Sequence, residues 1–253
     1  MNILAIGDPH GHMSKVKKMP RADAIILNGD LGDASLARTI AFTNIGRRHK
    51  GLPPIQYTAK QRMRAFMQQY TTGLRLVKYL AKRAPVYLIF GNAEHTEVQT
   101  RRLSKRIGLL LPSITKALKA IPNVHIINGK QVMLGGLRVG GIGMFHDDDE
   151  QEAQKAKQTL RRFTKLDIFV CHQPPYKYLD IVRQRGLPKS FQGKHVGSKT
   201  IASYIRTRKP ALVLCGHIHE AKGIAKIGKT VVYNLGECNY KLFKLPQTQH
   251  SRK

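Results

Sequence analysis

Short apolar runs rich in β-branched residues recur along the chain and alternate with longer amphipathic stretches in its earlier part. Runs of this length, bounded by Gly, Pro, Asn or Asp, are typical of buried strands. The predicted strands are Asn2–Gly7, Asp23–Asn28, Pro85–Phe90, Val124–Asn128, Gln131–Leu134, Leu137–Gly143, Leu166–Cys171, Pro210–Cys215, Gly223–Ile227, Thr230–Asn234 and Lys241–Leu245.

Helical periodicity is clearest from Ala59 to Arg83, where apolar side chains recur at spacings of three and four residues. Weaker patterns predict helices over Thr96–Ala120, Glu150–Thr164 and Ser198–Lys209. Ser198 is a suitable N-cap for the last of these helices.

The stretch from Ala34 to Thr58 has no clear period, and Gly51 with Pro53–Pro54 breaks any helix in its second half. We therefore predict a variable loop there. Strands alternate with helices early in the chain, whereas its end is rich in short strands and turns. This order predicts the α/β class, as a sandwich of two packed β-sheets with helices outside. No repeat or linker divides the sequence, so we predict one domain over residues 1–253, with a basic C-terminal tail from about residue 246.

Composition narrows the class of protein. The chain is 42% hydrophobic, which is typical of a protein with a packed core. It has no run of about 18 apolar residues that could span a bilayer, so we expect no membrane partner. The three cysteines, Cys171, Cys215 and Cys238, show no CxxC spacing. Such sparse cysteines argue against a disulfide framework and predict a cytoplasmic location.

Charge is the unusual feature of the composition. The chain has 44 Lys and Arg against 15 Asp and Glu, which gives a formal net charge of +29. Such a field attracts polyanions, so nucleic acid is a candidate partner beside a phosphate-ester substrate. A general basic bias explains the charge equally well. Arg101 and Arg102 could bind a polyanionic substrate or belong to a solvated helix face. Monomer and homodimer both stay open.

Side chains that can bind metals follow several of the predicted strands. They lie in the segments Asp8-Pro9-His10, Gly29-Asp30, Gly91-Asn92, Cys171-His172 and Gly216-His217-Ile218-His219. Loops after the strands of an α/β sheet gather at one edge, so we expect these side chains to meet. Carboxylate, imidazole and amide oxygen suit Mn²⁺, Fe²⁺, Zn²⁺ or Ni²⁺, of which we predict Mn²⁺. A shared carboxylate can hold two ions about 3.5–4 Å apart, which stabilises displacement at phosphorus.

In this order, the segments resemble the calcineurin-like metallophosphoesterase superfamily, and residues 195–198 and 215–220 resemble its small prokaryotic, especially archaeal, members. The resemblance runs from Asp8 to about Gly236 and implies a four-layer sandwich of two β-sheets flanked by helices. It also implies a hydrolase of phosphodiesters or phosphomonoesters, with diesters favoured, in which a hydroxide between two metal ions attacks phosphorus. The implied ligands are Asp8, His10, Asp30 and His219 for one ion and Asp30, Asn92, His172 and His217 for the other.

One position departs from the superfamily pattern. Many members follow Gly-Asn with a His that protonates the leaving group, and this chain has Ala93 there. His95 or His12 could supply the proton instead; alternatively, His95 faces solvent or caps the next helix. A missing acid slows poor leaving groups most, so we expect activated esters and diesters to react faster than alkyl monoesters.

Other functions stay open from the sequence alone. The net charge favours a metal-dependent nuclease, although no extra region that could cap a duplex is evident. A non-catalytic scaffold on the same fold is disfavoured because every ligand position is filled. A basic nucleic-acid-binding protein with an incidental metal site is a further alternative. The acidic run Asp147–Glu150 could bind another cation, but such a run is more typical of the first turn of a helix.

Overall fold

The computed structural model describes residues 1–244, so the predicted basic tail from about residue 246 lies outside the described residues. The predicted strands are confirmed, with ends that differ by at most two residues. They are β1 (Asn2–Ile6), β2 (Ala24–Leu27), β3 (Val86–Leu88), β4 (Val124–Ile126), β5 (Lys130–Leu134), β6 (Leu137–Ile142), β7 (Ile168–Cys171), β8 (Leu212–Cys215), β9 (Gly223–Ile227), β10 (Thr230–Asn234) and β11 (Tyr240–Lys244).

The helices confirm part of the prediction. They are α1 (Met13–Lys17), α2 (Ser35–His49), α3 (Ala59–Ala81), α4 (Glu97–Ile107), α5 (Ile114–Lys119), α6 (Glu150–Arg162) and α7 (Lys199–Arg208). The hydroxyl of Ser198 accepts a hydrogen bond from the Ile201 amide, which confirms Ser198 as the N-cap of α7. Asp149 caps α6 in the same way, so the acidic run marks a helix start as the sequence favours.

One loop prediction and one helix prediction are wrong, and one short helix was missed. The predicted loop over Ala34–Thr58 contains helix α2, the short helix α1 was not predicted, and the single helix predicted over Thr96–Ala120 is two helices. Gly108 ends α4 in the left-handed conformation, with φ of 69°, and a new cap at Ser113 begins α5. No residue of α2 is fully buried, so the helix lacks the strong apolar period that would reveal it.

Two mixed sheets form the centre of the fold. The first has the strand order β11-β1-β2-β3-β4, and the second has the order β5-β6-β7-β8-β10-β9. Strands β1 to β4 are parallel, as are β6, β7, β8 and β10, whereas β5, β9 and β11 are antiparallel edge strands. The carboxyl ends of the parallel strands therefore meet at one edge of each sheet.

Alternation along the strands builds four layers. In β1, Leu4 packs with residues of α3, whereas Ile3 packs against the second sheet beside Val170 and Leu214. In β7, Phe169 packs on the other side against α6 and α7. Both sheets thus bury two apolar faces, which confirms the predicted four-layer α/β sandwich. Within residues 1–244, no helix is long and apolar enough to cross a membrane.

Candidate metal centre

The predicted metal ligands lie together at the carboxyl ends of the parallel strands. Loops after β1, β2 and β3 contribute from the first sheet, and loops after β7 and β8 contribute from the second. Contacts of less than 4 Å or direct ring packing link each member of the cluster to another member. The cluster consists of Asp8, His10, Asp30, Asn92, His172, His217 and His219.

The backbone is strained at four of these positions. Asp8, His10, Asp30 and His217 have φ values of 31°, 40°, 50° and 67°, in a region that residues other than glycine seldom adopt. Such a conformation costs on the order of 1–3 kcal/mol per residue and concentrates at functional sites. This conformation directs four polar side chains to one point. A loop with a purely structural role would have relaxed the strain.

One half of the cluster joins His10, Asp30 and His219, whose ligand atoms all lie within 4.8 Å of one another. His10 Nε2 lies 3.5 Å from Asp30 Oδ2, and His219 Nε2 lies 3.3 Å from Asp8 Oδ2. The Nδ1–H of His10 donates to the carbonyl oxygen of Gly32, at 3.2 Å. The lone pair of His10 is therefore on Nε2 and faces the carboxylates, as metal ligation requires.

The other half joins Asp8, Asp30 and His172, so Asp30 belongs to both groups. His172 Nδ1–H donates to the Asn28 carbonyl oxygen at 2.9 Å, which leaves Nε2 facing Asn92 Oδ1 at 3.0 Å. These two atoms are both acceptors, so a proton or a metal cation must lie between them.

The same amide oxygen of Asn92 lies 2.9 Å from Nδ1 of His217. Within residues 1–244, Asp8 Oδ1 and His219 Nε2 have no hydrogen-bond partner although both atoms are buried. Lone pairs that converge without donors fit a cation, and carboxylate, imidazole and amide donors without thiolate fit a catalytic divalent ion. The chain thus offers a donor set suited to the metal ions that the sequence implies.

The buried carboxylates create a field that favours positive charge. Burial alone would raise the pKa of Asp30, but His172 and His10 lower it to about 2. Burial opposes a charge on His219, yet the adjacent carboxylates of Asp8 and Glu237 raise its pKa to about 9. Protons held in this field are the ones that a metal cation displaces when it binds. Burial and nearby His172 lower the pKa of His217 to about 4, so this ring is neutral and ready to ligate at pH 7.

Two glutamates support the ligands, and sequence analysis did not identify either. Glu237 Oε2 lies 3.1 Å from Nδ1 of His219, and Oε1 lies 2.9 Å from Nε2 of His12. The buried carboxylate of Glu94 accepts hydrogen bonds from the backbone amides of Asp30, Leu31 and Gly91. Glu94 follows Asn92 by two residues and could have been considered, but no local pattern relates Glu237 to the ligand that it orients.

We expect Glu237→Gln to weaken metal binding about 10–100-fold, because a carboxylate that accepts from a ligating His fixes the ring and raises its basicity. Calorimetric titration of the metal-free protein with Mn²⁺ measures the affinity for the metal. His12→Gln is the matched control, since it removes the other partner of Glu237 and leaves the contact with His219 intact. Equal losses in the two variants would contradict the role of Glu237 as the support of His219.

Two cavities meet at the cluster. The first cavity has a volume of about 580 Å³, and Asp30, Asn92, His217 and His219 line one part of it. The second cavity has a volume of about 570 Å³ and lies among the loops after β6 and β7. His217 lines both cavities, so a group bound at the metal centre has room on two sides.

The other residues singled out from the sequence lie at different distances from the centre. His95 lines the first cavity, whereas His12 Nε2 is bonded to Glu237 beside the ligands. Arg102 lines a smaller adjoining pocket that it shares with His95, and Arg101 is exposed on α4. The structure therefore places His95 at the first cavity, and no described contact brings Arg101 to the candidate ligands.

Arg38 is a cation at the site that sequence analysis did not identify, because its helix α2 was predicted to be a loop. Its Nη2 lies 2.7 Å from Nε2 of His10, and its side chain lines the first cavity. The guanidinium thus donates a hydrogen bond to a candidate ligand and lies where it could also bind an anion.

Comparisons with known proteins agree with this geometry. A family model described as calcineurin-like phosphoesterase matches residues 1–221. The uncharacterized protein MJ1162 of Methanocaldococcus jannaschii is 28% identical over 174 residues, which cover 66% of this chain and 72% of that protein. The UPF0046 protein K07C11.7 of Caenorhabditis elegans is 23% identical over 251 residues, which cover 94% of this chain and 70% of that protein. A solved crystal structure is similar in fold, with a TM-score of 0.61 at 16% identity. The match covers 96% of this chain and 98% of the chain in that structure.

Proposed function

Because the chain belongs to the calcineurin-like phosphoesterase family, whose members hydrolyse phosphate esters with the help of metal ions, we propose that it is a two-metal phosphodiesterase. The observation that carries the preference for diesters is the pair of cavities that meet at His217. A phosphodiester has two substituents, and each cavity has the volume of an ordinary small-molecule site. A monoester would leave one of the two cavities without a substituent to bind.

The proposed roles follow from the contacts in the cluster. Asp30 belongs to both ligand groups and is the proposed bridging carboxylate. Two divalent cations, with Mn²⁺ proposed first, would neutralise the phosphoryl oxygens and make a bound water acidic enough to act as nucleophile at neutral pH. Arg38 adds a positive charge on the cavity side and can hold a phosphoryl oxygen.

His95 is a better candidate than His12 for the proton donor to the leaving group. Its ring lies in the first cavity, stacked on Phe66 with centroids 5.4 Å apart, and the Nε2 of His12 is already bonded to Glu237. Burial and nearby Arg106 lower the pKa of His95, so its protonated form is scarce at pH 7. Poor leaving groups need protonation, and a donor that is mostly deprotonated assists them little. We therefore still expect the preference for activated esters that follows from Ala93.

The test is hydrolysis of bis(4-nitrophenyl) phosphate beside 4-nitrophenyl phosphate, with metal-free protein and with Mn²⁺, Fe²⁺, Zn²⁺, Ni²⁺ or Mg²⁺ added. We expect metal-dependent activity with kcat/KM at least about tenfold higher for the diester, because the second substituent can bury apolar surface in the second cavity and a tenfold ratio needs only about 1.4 kcal/mol. A higher value for the monoester would replace the phosphodiesterase proposal by a phosphatase. Activity that needs no metal would contradict the proposed mechanism.

The net charge of +29 favours a second candidate, a metal-dependent nuclease. A nuclease would degrade single-stranded or double-stranded oligonucleotides, and its affinity for them would fall steeply with salt. Contacts with phosphates weaken strongly between about 50 and 200 mM salt. Binding that does not change over this range would count against the nuclease.

A further inference from the structure

The first cavity has an apolar wall, part of which lies outside the hydrophobic core. Helix α2 contributes much of this wall, and within residues 1–244 it belongs to none of the hydrophobic core clusters. The loop after β7 contributes the opposite side, where Phe191 and Val196 are 42% and 44% exposed. The main apolar side chains of the wall are Ile40, Phe42, Ile45, Phe66, Leu187 and Phe191.

A buried carboxylate holds the loop after β7, which forms one side of the wall. Asp180 is fully buried and accepts hydrogen bonds from the backbone amides of Lys177 and Gly197. Its other oxygen lies 2.6 Å from Nδ1 of His195. These contacts tie the two ends of the loop together, so this side of the cavity does not depend on a bound partner for its shape.

Charge and position specify what enters the cavity. The cavity is lined by three arginines, Arg38, Arg62 and Arg106. Its carboxylates are Glu220, which is exposed, and Asp30 at the candidate metal centre. The surrounding charge therefore suits an anion, and the ligands at one end suit its phosphate. The side chains beyond that end are mainly aliphatic and aromatic, and they would remove an apolar group from water.

We propose that the first cavity binds an apolar substituent of the substrate, so that the substrate is a phosphate ester that carries an alkyl or acyl chain. This inference rests on the proposed function, which it makes more specific. A nucleoside would need polar partners for its base and ribose, and the uncharged polar side chains of the wall are few. The second cavity, which includes Asp147, His195 and Lys199, then receives the other, more polar substituent.

A series of alkyl 4-nitrophenyl phosphodiesters, from methyl to octyl, tests the proposal below the micelle concentration of each ester. The leaving group is the same throughout, so chain length alone changes. We expect kcat/KM to rise by up to about fourfold for each added methylene until the cavity is filled, as the burial of apolar surface predicts. No dependence on chain length, or faster hydrolysis of a thymidine 4-nitrophenyl phosphodiester than of the octyl ester, would overturn the inference.

Variants locate the effect. Phe42→Ala and Ile45→Ala should each reduce the ratio of octyl to methyl ester hydrolysis, because both side chains line the wall. Met133→Ala is the matched control, since Met133 is an exposed apolar residue on strand β5 outside this cavity, and it should keep the wild-type ratio. An equal reduction in the control would show that the effect is not local.

Binding separates this inference from the proposed function. Calorimetry with methyl phosphate and octyl phosphate needs no turnover and can be performed on the Mn²⁺-loaded protein. We expect octyl phosphate to bind at least about tenfold more tightly, with a negative heat-capacity change. If no ester is hydrolysed with any metal but octyl phosphate binds more tightly, the phosphodiesterase proposal fails and the apolar site stands. Equal affinities would overturn the apolar site whatever the activity.

Discussion

Asp30→Asn is expected to lower kcat/KM for a phosphodiester by at least about a thousandfold, because a neutral amide cannot bridge two cations whose charge stabilisation is worth several kcal/mol. Asp30 Oδ2 lies 3.5 Å from His10 Nε2, and Oδ1 lies 3.6 Å from His172 Nε2. An amide in this place would direct an N–H group at one of these lone pairs and exclude a metal from that side.

The loss should arise from the metal centre and not from unfolding. Asn has the shape of Asp and keeps an oxygen that can accept from the Ala93 amide, so the metal-free variant should still fold. Because His172 and His10 hold the pKa of Asp30 at about 2, loss of its charge should lower the stability somewhat, and urea unfolding measures this separately from the metal content.

Elemental analysis of Asp30→Asn after equilibration with Mn²⁺ should show fewer ions per chain. Asp33→Asn is the matched control, because Asp33 follows in the same loop but bonds the Ser35 amide and Gln68. Full metal content and activity in Asp30→Asn would refute the bridging role.

Glu94→Ala is expected to lower the free energy of unfolding by about 3–5 kcal/mol, since each buried amide left without an acceptor costs about 1–3 kcal/mol. The donors are the amides of Asp30, Leu31 and Gly91, at 2.9, 2.8 and 2.8 Å. Burial and the charge of Asp30 raise the pKa of Glu94 to about 7, so the protein retains this carboxylate at an electrostatic cost. That cost is consistent with a carboxylate whose main role is to shape the ligand loop.

Urea unfolding of the metal-free protein measures this change in stability, and a second variant gives an intermediate case for comparison. Glu94→Gln keeps one acceptor oxygen, so its loss should be smaller than that of Glu94→Ala. Glu150→Ala, on the exposed first turn of α6, should change stability by no more than about 0.5 kcal/mol. A loss in Glu94→Ala no larger than that in Glu94→Gln would mean that water or another group replaces the carboxylate.

The strands and the grouping of the candidate metal ligands could be predicted because both depend on local patterns. Apolar runs bounded by turn residues mark the strands, and a polar side chain directly after such a run is placed at the sheet edge by the parallel topology. Asp8 and Asp30 illustrate this, since each follows its strand within two or three residues. The order of these segments also sufficed to indicate the family.

Helix α2 could not be predicted for the opposite reason. Its apolar residues, including Phe42 and Ile45, face the first cavity and not the core, so the periodic pattern that marks a packed helix is weak. The break between α4 and α5 depends on Gly108, whose left-handed conformation looks no different in sequence from a tolerated helical glycine.

Residue types and their order along the chain therefore determined the fold class, the strands and the donor atoms of the candidate metal centre. Tertiary structure alone decided which groups support those donors and what shape of substrate can reach them. Glu237 meets His12 across 225 positions of sequence, and Arg38 meets His10 across 28. Such contacts arise only when the carboxyl ends of two sheets and the loops beyond them come together, because no local pattern encodes the distance between separate strands.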